Sequence, residues 1–409
     1  MCIFPDFHFG KINNVEEVGK SMKIGILGFD FESPNKGCEA LTYSFINMLI
    51  ECFGNDLKII NYSYGGLGAF QKQYPEIEFD IRRPKIKNPL DWKKIKKEMS
   101  TLDMIFDVTF GDGFSDIYGK MWNATTDMLK ELAIQSGKPL ILLPQTYGPY
   151  KSPFLKMWAE HIVNKSYAAY SRDTASATEM NIKCGGKVKV LTDMAFALPY
   201  DRGLYQIDDT KTNIGINVSA LLWDSDYAKD NKFHLKVDYR SYISSLIKNL
   251  LEDDTYVIHL IPHVIAKKGY NVAENDIRPC MEIKKKFSNV ERVIFAPAFE
   301  NPIEAKSYIA NIDVFIGARM HATIGALSAG VATIPFAYSK KFKTMFGNLH
   351  YDYTIEAREL DTKAALEQTQ TYIREYKTLA EAAKAASRIA KEKLDVLRKN
   401  MTHLGKTDI

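Results

Sequence analysis

Continuous apolar runs of strand length, separated by stretches of three-four helical spacing, recur along most of the 409 residues. In the first half the runs are KIGILGF (23–29), LKIINYS (57–63), DMIFDVTF (103–110), PLILLPQTY (139–147), YAAYS (167–171) and KVKVLTD (187–193). Helical patterning fills most of the gaps, as in Gly37 to Phe53 and Met121 to Ser136. Because the runs are continuous rather than alternating, both faces of each strand are expected to be covered, the pattern of a parallel sheet between helical layers. The polar stretch DRGLYQIDDTKTN (201–213) has no apolar period and reads as a linker. A second series follows it: NIGINVS (213–219), TYVIHLIP (255–262), ERVIFAPA (291–298), DVFIGA (313–318) and VATIPFAY (331–338). The predicted fold class is α/β, with two doubly wound, Rossmann-like parallel-sheet domains over 22–205 and 212–358. Ligands of such sheets bind at the carboxyl ends of the strands, here in a cleft between the halves. Apolar and small residues at Leu366, Ile373, Ala380, Ala383, Ala390 and Leu394 then predict a helix over 361–400 that packs across the domains. A coiled-coil partner helix is the other reading of that stripe.

Composition narrows the function classes. The chain is 46% apolar, with a net charge of +4 and a pI near 8.5. That suits an anionic substrate or surface and is too weak for a nucleic-acid partner. No run approaches the roughly 20 apolar residues of a membrane span. Residues 1–21 hold Asp6, Glu16 and Glu17 and no long apolar region, and read as an extension ahead of MKIGILGF. Five scattered cysteines without a CxxC fit reduced thiols in a cytoplasmic protein. Neither zinc-ligand spacing nor a P-loop occurs, so no metal and no cofactor is expected. One segment stands out in charge: residues 82–100 carry eight bases against two acids, with Leu90, Trp92, Ile95 and Met99 interleaved. It reads either as a solvated loop and helix or as a peripheral contact with the inner leaflet of a membrane.

Candidate chemistry concentrates at GARMHA (317–322), where a buried strand turns into a helix. The free N–H groups of a helix start favour anions. Arg319 adds a planar fork suited to carboxylate or phosphate, and His321 an acid/base group near neutral pH. A surface arginine paired to an acid, beside a packed histidine, is the plainer alternative. Lys340, Lys341 and Lys343 follow the next strand, and parallel register lets Lys341 reach the same anion.

GARMHATIGALSAGVATIPFAYSKKF resembles the signature region of the polysaccharide pyruvyl transferase family: an R-x-H-A turn, a helix, an apolar strand and Y-x-x-K. Four more segments resemble that family in order. They are GFDFESPNKGCEALTYSFINML, against N-x-G-D-E-A; DMIFDVTFGDGFSD, a strand and Gly-rich turn; LLPQTYGPY, against Q-x-x-G-P; and YSRDTASATEM, against R-[DE]-x-x-S, with LTDMAFAL after it. The sequence departs from the pattern at Cys38, where Asp is usual.

The resemblance implies a fold similar to GT-B glycosyltransferases. It implies transfer of the enolpyruvyl unit of phosphoenolpyruvate to two hydroxyls of a sugar, with release of phosphate and formation of a cyclic ketal. Arg172, Arg319, His321 and Lys341 are then expected to hold the donor, with Arg319 and His321 in the catalytic roles. Asn35, Glu39, Asp112 and Asp116 are expected at the acceptor; turn capping is an equal alternative for Asp112 and Asp116. Gln145, Asp193 and His263, at strand ends, are either further acceptor contacts or satisfied interdomain polar residues. A lipid-linked oligosaccharide is the expected form of the acceptor. A GT-B glycosyltransferase using a nucleotide sugar, and a non-catalytic glycan-binding or assembly protein, remain as alternatives.

Overall fold

The computed structural model describes residues 21–63, 66–225, 231–266 and 274–406. The expected extension lies outside them except for Ser21. Among the described residues, thirteen strands form two wholly parallel sheets. The first contains β1 (Met22–Leu27), β2 (Leu57–Tyr62), β3 (Glu78–Arg82), β4 (Met104–Asp107), β5 (Leu140–Gln145), β6 (Ala168–Ser171) and β7 (Val188–Val190), in the order β3-β2-β1-β4-β5-β6-β7. The second contains β8 (Thr212–Asn217), β9 (Tyr256–Leu260), β10 (Val293–Phe295), β11 (Val314–Gly317), β12 (Ala332–Ala337) and β13 (Ile355–Glu356), in the order β10-β9-β8-β11-β12-β13. In each sheet the order reverses beside the first strand, β1 or β8, which puts a topological switch point at its carboxyl end.

The continuous apolar runs became the central strands. All four residues of β4 and of β11, and all six of β5 and of β12, are buried. Two strands escaped the hydrophobic pattern. β3 is an edge strand of sequence EFDIR without a fully buried residue, and β13 has only two residues. The linker expected over 201–213 is tied to the second domain: the Asp201 backbone N–H donates to the Ser307 hydroxyl oxygen (2.9 Å), and Arg202 donates to the carbonyls of Ala310 and Ala329.

The C-terminal pattern resolves into two helices, Thr362–Arg374 and Tyr376–Lys406, broken at Glu375. The first packs on the second domain, where the Tyr242 and Thr369 hydroxyls meet at 2.8 Å. The second passes the helix Met320–Ser328 and strand β12, then reaches the first domain's opening helix, Lys36–Phe53. There Arg398 pairs with Glu51 (2.7 Å), and Asn400 donates to the Tyr170 hydroxyl (2.8 Å). One hydrophobic cluster accordingly joins Ile24 and Phe45 of the first domain, Ile324 and Leu327 of the second, and Ala390, Leu394 and Leu397 of this helix.

The basic segment 82–100 forms the helix Pro89–Met99, and its apolar stripe faces mostly inward. Ile95 and Met99 are buried, and Trp92 donates its ring N–H to the Ile86 carbonyl (2.7 Å). Only Leu90 projects, because the helix needs this stripe to cover the first sheet.

Candidate active site

The carboxyl ends of the two sheets face each other, and short backbone bonds hold the seam. Lys36 N–H donates to the His263 carbonyl (3.1 Å), and Ile265 N–H donates to the Pro34 carbonyl (2.8 Å). The first-domain side is the start of the helix Lys36–Phe53, capped by the Asn35 side chain, which accepts from Gly37 N–H at 3.0 Å. Directly above it stands His321, in the first turn of the helix Met320–Ser328. A Cβ on Gly37 would lie 2.3 Å from His321 Nδ1, so only glycine admits the ring. The other ring nitrogen, Nε2, sits 3.5 Å from an Asp193 carboxylate oxygen. Asp193 is wholly buried and also accepts from Arg172 Nη1 at 2.8 Å. Burial opposes its charge, yet His321 and then Arg172 hold its carboxyl well below the usual range. Arg172 and Asp193 come from the first domain and His321 from the second, so this chain of charges spans the seam.

Arg319 is differently placed from what the motif suggests. Its guanidinium is 9% exposed and is occupied by acids: Nη2 and Nε donate to Asp276 (2.9 and 3.3 Å), and Nη1 donates to Glu274 (2.8 Å). Burial disfavours its charge, but Asp276 and Glu274 more than offset that and hold the guanidinium above its ordinary range. Asp276 is a hub that the sequence did not mark. Its carboxylate also accepts from the backbone N–H groups of Ala220, His263 and Val264. Asn217, at the end of β8, completes the arrangement by accepting from Arg319 N–H and donating to the Ile261 carbonyl. Arg319 thereby fixes the loop that touches Pro34, Asn35 and Lys36. His263 is buried beside His321, Arg319 and Lys36; burial first, and then those cations, press its ring to the neutral form.

Lys341 reaches the first domain and not the Arg319 acids. Its Nζ donates to Asp112 at 3.0 Å, and the Tyr118 hydroxyl donates to the other Asp112 oxygen at 3.0 Å. Burial works against the Asp112 charge, but Lys341 and Arg172 bring its carboxyl below the ordinary value. Asp112 is carried there by a tight turn after β4. Thr109 and Phe110 hold left-handed φ angles of 37° and 56°, each costing roughly 1–3 kcal/mol, and the Asp107 carboxylate anchors the Thr109 hydroxyl (2.8 Å). Cys38, at the family's usual Asp position, is half-buried; burial, with Asp30 and Asp112 near it, pushes its thiol up to about 12. The position therefore carries no charge at neutral pH.

Besides Asp193 and His263, three more expected acceptor residues face inward, and each has a bonding partner that explains why. Glu39 is 2% exposed and pairs with Lys36 at 2.7 Å. Gln145 is fully buried and donates to the Asp107 carboxylate (3.0 Å). Asp116 accepts from the backbone N–H groups of Lys151 and Ser152, each as close as 2.8 Å, which is the capping alternative. Sequence reading also passed over Lys306. It is buried beside a small interdomain cavity shared with His263 and His321, and donates to the Leu198 carbonyl (2.7 Å). Burial, with Lys391 adding to it, pulls its ammonium down to about 7.

The seam thus gathers Arg172, Asp193, His263, Arg319, His321, Asp112 and Lys341. The model of the polysaccharide pyruvyl transferase family matches residues 35–340, from the helix cap Asn35 to the turn beside Lys341. The chain belongs to the polysaccharide pyruvyl transferase family. Its family motifs are the segments that line this seam. A search of the curated proteins finds no match. Among solved structures, a Listeria monocytogenes chain assigned as a UDP-N-acetylglucosamine 2-epimerase superposes with a TM-score of 0.60 at 8% identity, covering 95% of this chain and 98% of that one. A glycosyltransferase from Rickettsia africae gives 0.57 at 12% identity, covering 95% and 98%. UDP-GlcNAc 2-epimerase from Neisseria meningitidis gives 0.53 at 12% identity, covering 91% and 99%. At such identities these likenesses establish the GT-B-like fold of this family member and nothing of its substrates.

Proposed function

We propose that this chain moves the enolpyruvyl unit of phosphoenolpyruvate onto two hydroxyls of one sugar in a cell-surface polysaccharide precursor. In the first half-reaction a sugar hydroxyl loses its proton as its oxygen bonds to donor C2, while C3 takes a proton and becomes methyl. The C2–O bond to phosphate then breaks, and its electron pair leaves with phosphate. The second hydroxyl adds to the oxocarbenium-like C2 and loses its proton, closing the ketal.

The observation that carries the reading is the family match over the same turns that meet at the seam. His321, with the anionic Asp193 at Nε2, is assigned the proton transfer or the phosphate contact; such assistance is worth roughly 10²–10⁴ in rate. Arg319 and Lys341 are assigned to the donor's two anionic groups. Each is now matched by an acid with an exposed portion, Glu274 or Asp112, and the donor's carboxylate and phosphate would take those acids' places. Arg172 keeps Asp193 charged from behind. Asn35 and Asp112, on the first-domain rim, are the acceptor contacts favoured by position, on a sugar carried by a lipid-linked oligosaccharide.

Incubation with phosphoenolpyruvate and a panel of galactosides, mannosides and N-acetylhexosamines, read by mass, tests this. One acceptor should gain the mass of pyruvate less water, with one phosphate released per ketal. Turnover of a nucleotide sugar with no binding of phosphoenolpyruvate would overturn the proposal in favour of a glycosyltransferase. Binding of glycan with neither donor consumed would leave a non-catalytic protein.

A further inference from the structure

Seven of the exposed large apolar side chains fall on one rim of the first domain, while others, such as Tyr167, Ile182 and Met281, stand on separate elements. Ile117, Tyr118, Met121, Trp122, Phe154 and Met157 are between 40% and 66% exposed, and Leu90 is 74% exposed. All seven follow the carboxyl ends of β3, β4 and β5, at the starts of the helices Pro89–Met99, Lys120–Gln135 and Pro153–Lys165. Those helices lie side by side on the first sheet. Two of the connecting loops are bound together: the Asp116 carboxylate takes the N–H groups of Lys151 and Ser152, and the Tyr150 hydroxyl donates to the Phe114 carbonyl (2.7 Å). Ile117 and Phe154 are therefore neighbours on one surface, far larger than the single apolar residues that any protein exposes.

Charge says what covers it. Segments 83–90, 117–122 and 149–158 contain Arg83, Lys85, Lys87, Lys120, Lys151 and Lys156 and no acid at all. Lys85, Lys87, Lys120 and Lys151 are exposed, whereas Lys156 is shared with Glu179 at 3.0 Å. The nearby Asp116 is turned inward by its backbone bonds. Long aliphatic and aromatic side chains among uncompensated bases match the boundary between the acyl chains and anionic headgroups of a bilayer. They do not match a sugar, which needs polar partners beside each ring.

We propose that this rim is a membrane-docking surface that seats the first domain on a bilayer of anionic phospholipid. No helix among the described residues is long and apolar enough to cross a membrane, so the contact is peripheral. The surface borders the seam directly, because Tyr118 belongs to it and donates to Asp112. An acceptor anchored in that bilayer would present its sugar at the edge of the crevice. The docking claim stands apart from the transfer reaction, since vesicle binding is read without donor or acceptor.

The test is co-sedimentation of the full chain with vesicles of equal phosphatidylglycerol and phosphatidylcholine, and with phosphatidylcholine alone. The wild type should bind the anionic vesicles and lose most of that binding in ~0.5 M salt. A Met121→Ser, Phe154→Ser, Met157→Ser triple variant and, separately, a Lys120→Glu, Lys151→Glu variant should each bind at least ~10-fold more weakly. Both should keep the wild-type circular dichroism and melting temperature, since every altered side chain except those lysines' stems faces water. Three results would overturn the proposal: no wild-type binding, undiminished binding by folded variants, or a wild-type dimer that the triple variant converts to monomer. The last would make the rim a self-association face.

Discussion

Gly37→Ala is the sharpest perturbation of the seam. The added methyl would lie 2.3 Å from His321 Nδ1 and 2.6 Å from its Cγ, far inside van der Waals contact. Local backbone preference works the other way, since alanine in a helix is better than glycine by about 0.5–1 kcal/mol. Overpacking of this kind costs about 1–3 kcal/mol, so the net loss of stability should be up to about 2 kcal/mol. Calorimetry should show a fall of a few degrees in melting temperature. Turnover should drop about 10²-fold, the scale of a 1 Å misplacement of a reacting group. Gly347→Ala, also helical but with nothing within 4 Å of a Cβ, is the control: it should leave turnover unchanged and show only the propensity gain of about 0.5–1 kcal/mol. The decisive comparison is a double-mutant cycle with His321→Ala. If the clash with the ring is the cause, the Gly37→Ala penalty shrinks once the ring is gone, leaving only the milder 2.8 Å approach to the retained Cβ of residue 321. An equal penalty in both backgrounds would refute the account.

Asp193→Asn removes the charge that balances buried Arg172 and should destabilise the fold by about 3–5 kcal/mol in denaturant titrations. Because the folded-state carboxyl titrates below its unfolded value, the wild-type stabilisation from Asp193 is present above the unfolded pKa and lost as pH falls below it; acid titrations of wild type and variant should converge at low pH. Lys306 gives a slope of the same sign in a higher window: with its ammonium lowered to about 7, unfolding becomes harder as pH rises from 7 toward the unfolded value, and Lys306→Met should lose that slope between pH 7 and 10. Lys341→Ala breaks a half-exposed pair and should cost under about 1 kcal/mol of stability. It should nonetheless weaken phosphoenolpyruvate binding by about 10-fold or more, measured by titration calorimetry.

The central strands were legible because a strand covered on both faces has to be apolar throughout, as in LILLPQ and ATIPFA. β3 was not, because an edge strand half open to water may carry Glu78, Asp80 and Arg82 without cost. The break at Glu375 was hidden for a related reason: the residues on each side keep the helical stripe, although the first helix covers the second domain alone and the second helix spans both. At the site, the turns that approach the seam were visible as motifs, whereas their partnerships were not. Asp276 meets Arg319 from 43 residues away, and Gly37 meets His321 from the other domain. Nothing in local spacing records such meetings. The sequence showed the Arg319 cation but could not show that its fork is already filled, which follows only from the cost of burying it alone.

The helix Tyr376–Lys406 gives the molecule a second attachment between its halves, beside the connection near residue 201. The two attachments act as pins that add to the backbone bonds across the seam. Both side-chain pairs bridge that seam, so any widening of it would separate His321 from Asp193 and Lys341 from Asp112 together. Admission of the donor and disassembly of the proton path would then be one motion. A chain shortened before Arg398 would lose a pin and, with it, the cover over Cys52.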